Sequence, residues 1–270
     1  MGAYDIFVKP FVNKTDPEKG SRAALRYFKL SGKIPGMRFI KRLVYGNRPR
    51  GAQREVFGLS FYNPVGLGAG LDTGGDVYND INNLGFSFME IGPMDAKGMR
   101  HAISNLQEDP QDDILAACIN GDHLTAFTLG YDFCDFFVIE TGAEDYAAII
   151  DPILDARLTY EEYKPVVVKV PEKIEEDQLA AIVDYCMLNN VDGIEARSIA
   201  QISFINEMGN GRFPIIANCH IKDGQGAQEC IEAGASLIEI RSGLVNYGPK
   251  LVNRINRHLA TLSKKSTKTQ

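Results

Sequence analysis

Charged side chains stand in or at the ends of several short apolar segments of this chain. Lys169 follows Val166-Val167-Val168, and a lysine in so apolar a segment is costly to bury without a partner. The other charged residues in comparable positions are Asp72, Glu140, Glu195, Arg197, His220, Glu239 and Arg241. If these segments are neighbouring strands, their charged ends meet at one mouth.

Two interpretations of this charged set are open. In the first, Glu140 or Glu195 neutralises Lys169, and the charges form a network that fills the site. In the second, the set binds or converts a small polar ligand, with Lys169 as an electrophilic clamp or amine nucleophile and Glu140 or Glu195 as the acid or base. Glu90 and Glu239 are interpreted as buried groups with structural partners.

The elements that must position these residues are eight short, apolar, β-branched runs. They are Val65–Ala69, Ser87–Gly92, Ile114–Ile119, Asp135–Glu140, Pro165–Val170, Val191–Arg197, Phe213–Cys219 and Leu237–Ser242. Several are apolar on both faces, as expected for parallel strands covered by helices. Their alternation with helical patterns predicts an α/β fold, a (β/α)8 TIM barrel.

Helical periodicity is clearest in five segments between or after these runs. They are Glu144–Glu162, Glu175–Asn190, Ser198–Asn210, Gly224–Ala233 and Pro249–Ser263. The segment Asp95–Asp113 is weakly periodic, which predicts only a short helix or an irregular loop and an incomplete helical ring there. Some barrel loops or helices are therefore expected to be shortened.

An N-terminal extension precedes the barrel, with predicted helices at Glu18–Ser31 and Gly36–Tyr45. The second helix has an apolar side and a basic side, the latter formed by Arg38, Lys41 and Arg42, with Lys33, Arg48, Arg50 and Arg54 nearby. Such a helix suits a peripheral membrane surface, or equally a helical pair packed on the barrel with solvated charges. The expected organisation is an extension at 1–55, a barrel at 56–263 and a disordered basic tail at 264–270.

Composition excludes several classes of protein. The 270 residues carry 29 basic and 35 acidic side chains, so no global positive field is present for wholesale nucleic-acid binding. No apolar run approaches the ~18 residues of a membrane span. Five scattered cysteines form no CxxC motif, which favours neither disulfides nor zinc, so no metal is predicted and a cytoplasmic location fits best.

Four stretches resemble one known family. The segment FGLSFYNPVGLGAGLD at Phe57–Asp72 resembles the opening barrel strand of dihydroorotate dehydrogenases. The second strand of that family resembles Leu84–Gly92, and its last strand and terminal helix resemble Glu232–Ile238 and Ser242–Pro249. The early Asp16-Pro17-Glu18-Lys19 and the basic amphipathic helices are similar to the quinone-linked, membrane-associated class 2.

This resemblance implies a flavoprotein oxidoreductase. The family oxidises dihydroorotate to orotate in pyrimidine biosynthesis by hydride transfer to FMN, and in class 2 a quinone then reoxidises the flavin. It also implies that Ala69 and Gly70 cradle FMN, that Lys169 reaches the flavin, and that Ser242 and Gly243 lie at its phosphate.

The chain departs from the family pattern at most other site positions. Ala143 takes the place of the catalytic serine, for which Thr141 and Glu140 are possible substitutes. Elsewhere in the site, Thr73 replaces a lysine and Cys118 an asparagine. Arg197 and Ser198, close to Glu195, stand where the family binds orotate. Cys219 and His220 replace a glycine pair at the phosphate site.

Three hypotheses follow from this pattern. The first is a divergent, shortened paralogue whose oxidation of dihydroorotate is weakened or lost and whose charged mouth binds another small molecule or a partner. The second is an active FMN enzyme in which Thr73, Thr141, Cys118 or His220 has assumed lost roles. The third is a peripheral interaction module that contacts the inner face of a membrane through Arg38, Lys41 and Arg42. Neither enzymatic activity nor oligomeric state is decided by the sequence.

Overall fold

Four helices precede the barrel in the computed structural model, which describes residues 3–12, 14, 16–46, 52–108 and 113–266. They are α1 (Ala3–Phe7), α2 (Lys9–Val12), α3 (Pro17–Gly32) and α4 (Met37–Tyr45). The carboxylate of Asp16 accepts a hydrogen bond from the Glu18 N–H and caps α3. The Tyr4 hydroxyl donates to the carbonyl of Val245, which fixes α1 to the body of the protein.

A short antiparallel hairpin, β1 (Arg54–Val56) and β2 (Leu59–Phe61), leads into eight parallel strands that close into a barrel. These strands are β3 (Val65–Leu67), β4 (Phe88–Met94), β5 (Ile114–Ile119), β6 (Phe136–Glu140), β7 (Val166–Lys169), β8 (Gly193–Ala196), β9 (Ile215–Ala217) and β10 (Leu237–Ile240). The last strand pairs with the first, with Ile238 opposite Val65, and so closes the barrel. Each predicted run corresponds to one strand, although β4 extends two residues beyond its run, to Met94, and the predicted TIM barrel is confirmed.

The hairpin closes the amino-terminal end of the barrel with apolar side chains. Phe61 lies edge-to-face against Phe88, with ring centroids 5.4 Å apart, and Phe136 completes the aromatic cluster. All three rings are fully buried. The lower half of the barrel is therefore an apolar core, and the chemistry is confined to the upper half.

Nine helices between or after the barrel strands are described. They are α5 (Tyr78–Asn82), α6 (Ala96–Glu108), α7 (His123–Gly130), α8 (Tyr146–Arg157), α9 (Glu176–Leu188), α10 (Ile199–Met208), α11 (Gly224–Glu232), α12 (Ser242–Tyr247) and α13 (Lys250–Ser266). The expectation of a short helix or irregular loop at Asp95–Asp113 is wrong, because α6 has 13 residues. Its buried face contains Ala96, Met99, Ala102 and Leu106, and the two small alanines weaken the apolar signal on which periodicity depends.

The limits expected at residues 55 and 263 both fall inside elements, β1 and α13. The extension ends with α4 at Tyr45, and β1 begins at Arg54. Helix α13 continues to Ser266, so the limit expected at 263 lies inside a helix, and residues 267–270 are outside the described residues. No helix in the described ranges is long and apolar enough to span a bilayer.

Helix α4 is oriented opposite to the sequence-based expectation. Lys41 is buried rather than presented to a surface, with its Nζ 3.5 Å from the Asp80 carbonyl and 5.7 Å from the centre of the Phe28 ring. Arg38 Nε lies 2.9 Å from a carboxylate oxygen of Asp80, and Arg42 is exposed. The nearly buried Asp80 carboxylate needs cationic partners, which draws the basic side inward. Arg48 and Arg50 lie outside the described residues.

Candidate functional site

The upper half of the barrel is centred on the ammonium of Lys169, the last residue of β7. Its Nζ lies 2.8 Å from Oε1 of Glu195, 3.5 Å from Oε1 of Glu90 and 3.8 Å from Sγ of Cys118. These partners project from β8, β4 and β5, and all four side chains are buried. Three polar partners therefore surround an ammonium that has three N–H donors.

A third carboxylate, from Glu239 of β10, lies beside these residues. Together with Lys169, Glu90, Glu195 and Cys118 it forms the central cluster of the barrel. One oxygen from each of Glu90, Glu195 and Glu239 lies within 4.8 Å of the others. The side-chain amide of Asn218 donates to Oε1 of Glu195 at 2.7 Å. The absence of a side chain at Gly68 leaves room for Glu239, because a Cβ there would lie 2.7 Å from its Oε2.

Burial and repulsion between the carboxylates give the three acids different pKa values. Burial raises the pKa of Glu239 well above its usual range, and the charges of Glu90 and Glu195 add to the rise. In Glu90, burial also raises the pKa, but the Lys169 ammonium and a hydrogen bond with Glu239 outweigh it and hold the pKa below its usual value. Neither Glu239 oxygen is reached by a donor among the described residues, so Glu239 is the protonated partner and donates to Glu90.

Glu195 titrates near neutrality. Burial and the charge of Glu90 raise its pKa to about 7, while Lys169 and the Asn218 amide oppose the rise. Burial lowers the pKa of Lys169, yet the charges of Glu195 and Glu90 outweigh burial and raise it above the usual value. Lys169 therefore remains an ammonium at physiological pH and serves as a cation rather than as an amine nucleophile.

The same carboxylates are the residues best arranged to hold a metal ion. Glu90, Glu195 and Glu239 form the one acidic, histidine or cysteine group of three found in the described ranges. Carboxylate oxygens suit hard divalent cations. A divalent ion at this place would, however, have to displace the Lys169 ammonium, which already supplies the compensating charge.

Of the two carboxylates proposed to neutralise Lys169, Glu195 is the partner that the structure brings to it. Glu140 lies beside Lys169 in the β6–β7 register, but its side chain is half-buried at the barrel rim, and its carbonyl contacts Nε2 of His123 at 3.1 Å. Among the described residues, the ion-pair partners of Lys169 are Glu195 and Glu90.

The loop after β6 contains the candidate base positions. The Thr141 N–H donates to the Lys169 carbonyl at 3.4 Å, and its hydroxyl is buried without a partner among the described residues. Ala143 is half-buried in the same loop, which is closed by a hydrogen bond from the Gly142 N–H to Oδ1 of Asp145. The Thr141 backbone thus lies beside that of Lys169, whereas Ala143 contributes only a methyl group.

Arg197 and Ser198, which follow β8, contact neighbouring residues of their own side of the barrel. The Ser198 hydroxyl accepts from the Gln201 N–H at 3.2 Å and caps α10. The guanidinium of Arg197 lies 3.4 Å from a carboxylate oxygen of Glu172. Neither side chain contacts the described members of the central cluster through a hydrogen bond or ion pair.

Two clefts open on the carboxyl side of the barrel. One, of about 630 Å³, is lined by Thr73, His101 and Asn120 together with Asp95. Thr73 is exposed there, so the structure places it in this cleft rather than beside Lys169. The second cleft, of about 360 Å³, is lined by Cys219, His220, Lys222, Asp223 and Cys230 among others.

The residues expected to cradle a cofactor lie beside Arg241. Its Nη1 is 3.3 Å from the carbonyl of Ala69, and a Cβ on Gly70, whose φ is 100°, would lie 2.5 Å from the same nitrogen. Ser242 begins α12, and Gly243 is packed so closely against the Ile221 carbonyl that a side chain there would collide with it.

The sequence-based interpretation holds for two of these acids and fails for a third. Glu90 and Glu239 were interpreted as buried groups with structural partners, and both are buried in the cluster around Lys169. Each shares a strand face with an inward apolar residue, Phe88 or Leu237, and this alternation signals that they point inward. Asp72 was grouped with the mouth, but its carboxylate accepts from the N–H groups of Asp76 and Val77. Burial raises the pKa of Asp72 to about 6.

The chain is similar to one family of known proteins. Residues 192–262 match the model of the family described as dihydroorotate dehydrogenase. The chain is 24% identical to a dihydroorotate dehydrogenase (quinone) of Christiangramia forsetii, covering 95% of this chain and 98% of the relative, and 24% identical to that of Haemophilus influenzae, covering 95% and 99%. The first alignment has 334 positions against 270 residues here, so the relative has segments that this chain lacks.

Solved structures of the same name share the fold. A ligand-free DHODH from Eimeria tenella superposes with a TM-score of 0.79 at 18% identity, covering 93% of this chain and 96% of that one. The same organism's DHODH in complex with ferulenol gives 0.70 at 17% identity, covering 84% and 90%. Both comparisons support the barrel described above.

Proposed function

We propose that this chain, which belongs to the dihydroorotate dehydrogenase family as a divergent and shortened member, has weakened or lost the family's FMN-dependent oxidation of dihydroorotate. The observation that carries the proposal is the burial of Lys169 between Glu195 and Glu90, at 2.8 Å and 3.5 Å. In place of a flavin site, the upper barrel then contains a closed charge network, and ligands are left to the clefts around its rim.

The electrostatics of the central cluster do not fit a flavin. The three N–H donors of Lys169 face two carboxylates and the Cys118 thiol, so none is left for a flavin ring. A flavin gains negative charge on reduction, which buried carboxylates disfavour at short range. The lysine of the family pattern is present as Lys169, but Glu195 and Glu90 neutralise its charge.

The phosphate end of the site does not fit FMN either. Close approach of a phosphate needs bare backbone, and here Gly243 is already packed against the Ile221 carbonyl while Arg241 covers Gly70. Cys219 and His220 add side chains where the family pattern has two glycines. Exposed His220 and Arg241 could attract an anion to the rim, but not into the backbone cradle.

The proton-transfer step also lacks a suitable residue. Ala143 has no group that accepts a proton, and the Thr141 hydroxyl, although buried, has no acceptor among the described residues to activate it. A general base needs both reach and a pKa near the working pH. These observations together support impaired or absent oxidation rather than a relocated base.

Flavin binding by the full-length protein tests this proposal. The purified chain is incubated with FMN, freed of unbound flavin, and its visible absorbance is used to quantify flavin per chain, followed by assay of dihydroorotate oxidation with a quinone acceptor. We expect substoichiometric flavin and no turnover. Stoichiometric flavin with turnover that Lys169→Met abolishes would establish the alternative, an active FMN enzyme with substituted site residues.

A double variant provides a sharper arm of the same test. Cys219→Gly combined with His220→Gly restores the glycine pair without touching the central cluster, and Lys222→Gly serves as the control on the same loop. If side chains at the phosphate site alone prevent binding, the double variant gains FMN and Lys222→Gly does not. If the charge network also excludes the flavin, Lys169 and its partners must be changed as well.

We further propose that the N-terminal extension makes peripheral contact with the inner face of a membrane from the cytoplasmic side. Support comes from α4, whose Phe39 and Leu43 side chains are 72% and 75% exposed on its outward face. The extension also has an apolar cleft of about 450 Å³, lined by Phe7, Phe11 and Leu30 among others. The contact is apolar rather than basic, because Lys41 and Arg38 face Asp80 instead.

A further inference from the structure

Two cysteines meet at the cleft between β9 and α11. Cys219 lies in the loop that follows β9, and Cys230 lies on the buried side of α11. Both line the same cleft of about 360 Å³, one from the loop and one from the helix. A chain with five cysteines and no CxxC motif thus contains one adjacent pair among its described thiols.

The two thiols have different environments. Cys219 is half-buried and open to the cleft, with exposed Lys222 on the same loop and the first turn of α11 just beyond, at Gly224. Cys230 is almost fully buried behind it. An accessible thiol beside positive charge and a helix N-terminus is the arrangement that favours a thiolate.

Proton affinities follow the same division. The hydrogen bond with Cys230 lowers the pKa of Cys219; burial opposes this, while the charge of Arg197 assists it. The same hydrogen bond and burial raise the pKa of Cys230, which keeps the proton and acts as the donor. Burial raises the pKa of the three other thiols, Cys118, Cys134 and Cys186, so they stay protonated and are poor nucleophiles.

We propose that Cys219 and Cys230 are a redox modification site that reacts with hydroperoxides and closes to a reversible disulfide. The Cys219 thiolate attacks one peroxide oxygen, the O–O bond breaks, and Cys219 becomes a sulfenic acid while the leaving oxygen departs as water or alcohol after protonation. Cys230 then attacks the Cys219 sulfur, the S–O bond breaks, and the hydroxyl leaves as water with the Cys230 proton. Two thiols lose two electrons, and one peroxide gains them.

The disulfide would connect a loop at the barrel mouth to the helix behind it. The loop begins at Asn218, whose amide holds Glu195, and includes Ile221, whose carbonyl packs on Gly243. Because both cysteines line one cleft, the bond joins side chains that are already neighbours. Such a transient disulfide is compatible with a reducing cytoplasm, where a thiol restores the pair by exchange.

Peptide mapping of the full-length protein tests the assignment. The protein is reduced, freed of reductant, treated with one equivalent of hydrogen peroxide, and its free thiols are counted after denaturation. We expect a fall from five thiols to three, and recovery to five with dithiothreitol. Trypsin cuts after Arg212, Lys222 and Arg241, so the non-reduced digest should contain peptide 213–222 joined to peptide 223–241.

Serine variants separate this pair from the other cysteines. Cys219→Ser and Cys230→Ser should each abolish the joined peptides, whereas Cys186→Ser, a buried cysteine on α9, should leave them unchanged. Cys230→Ser should also trap the sulfenic acid on Cys219, detectable with dimedone. The proposal is overturned if the wild-type count stays at five, or if the oxidised thiols map to other peptides. The readout needs no flavin and is independent of the function proposed above.

Discussion

Nζ of Lys169 lies 2.8 Å from Oε1 of Glu195, and both side chains are buried inside the barrel. The pair joins the end of β7 to β8, with Glu90 as a second carboxylate at 3.5 Å and Glu239 protonated behind it. Two of the three acids thus share one cation, and the third remains neutral. This proton and charge arrangement leads to the first three predictions.

Removing the central cation should strongly destabilise the barrel. Lys169→Met preserves volume but leaves Glu90 and Glu195 buried without their ammonium, and breaking a buried ion pair from one side costs about 3–5 kcal/mol. Urea unfolding followed by circular dichroism measures the loss. Lys173→Met, an exposed lysine four residues later, should change the unfolding free energy by less than about 0.5 kcal/mol. A loss of under 1 kcal/mol for Lys169→Met would contradict the assigned pairing.

Glutamine substitutions should distinguish the neutral acid from the charged one. Glu239→Gln keeps a neutral hydrogen-bond donor beside Glu90, so we expect a change in unfolding free energy of at most about 1 kcal/mol at pH 7. Glu90→Gln removes a charge that faces Lys169 and should cost at least about 2 kcal/mol. The comparison is made by urea unfolding of both variants. Equal costs would show that the proton is not on Glu239.

The stability of the protein should fall as pH rises from about 5 to 8. Burial raises the pKa of Glu195 to about 7 and that of Asp72 to about 6, so the folded state binds these protons more tightly than the unfolded chain. The stabilisation is complete below the unfolded pKa and is lost as pH rises through the folded pKa. For Glu195 it is on the order of 3 kcal/mol.

Unfolding free energies at pH 5, 6, 7 and 8 test this dependence, with Glu195→Gln as the matched variant. The substitution removes the titrating carboxyl and should flatten the decline, leaving the smaller contribution of Asp72. If the wild type and Glu195→Gln show the same slope, Glu195 does not titrate in this range.

The contact between α3 and Asp80 should be sensitive to a single methyl group. A Cβ on Gly32 would overlap the Asp80 carboxylate, which holds Arg38 at 2.9 Å. Gly32→Ala should therefore destabilise the protein by about 1–3 kcal/mol despite the better helix propensity of alanine. Gly20→Ala in the same helix meets Val12 only at ordinary contact distances of 3.5 Å or more and should be neutral or stabilising. Thermal unfolding of both variants gives the comparison.

Membrane partitioning should depend on the apolar face of α4. Leu43→Glu places a charge on the outward side of the helix and should lower the fraction bound to phosphatidylserine-containing vesicles several-fold in a flotation assay. Leu188→Glu replaces a leucine that is 81% exposed at the end of α9, far from the extension, and should leave binding unchanged. Identical binding by wild type and Leu43→Glu would contradict the proposed contact.

Local patterns were sufficient for the strands but not for every helix. Val166–Lys169 and Leu237–Ile240 lie inside runs whose apolar residues cover both faces, a signal that depends only on neighbours in the chain. Helix α6 was missed because Ala96 and Ala102 fill its buried face with small side chains, and their contribution appears only when the helix packs. The direction of α4 was likewise decided by Asp80, which is distant in the sequence.

The amino-acid sequence by itself determined the alternating strands and helices of the barrel, the resemblance to one family, and the absence of a serine where Ala143 stands. It did not determine which carboxylate neutralises Lys169, because Glu140 and Glu195 lie on the two strands that flank β7 and are both in register with it. The closed barrel determines that the partner is Glu195, because it turns this side chain inward beside Glu90 and Glu239. The adjacency of Cys219 and Cys230 also depends on tertiary structure, because only packing of α11 on the barrel brings the two thiols together.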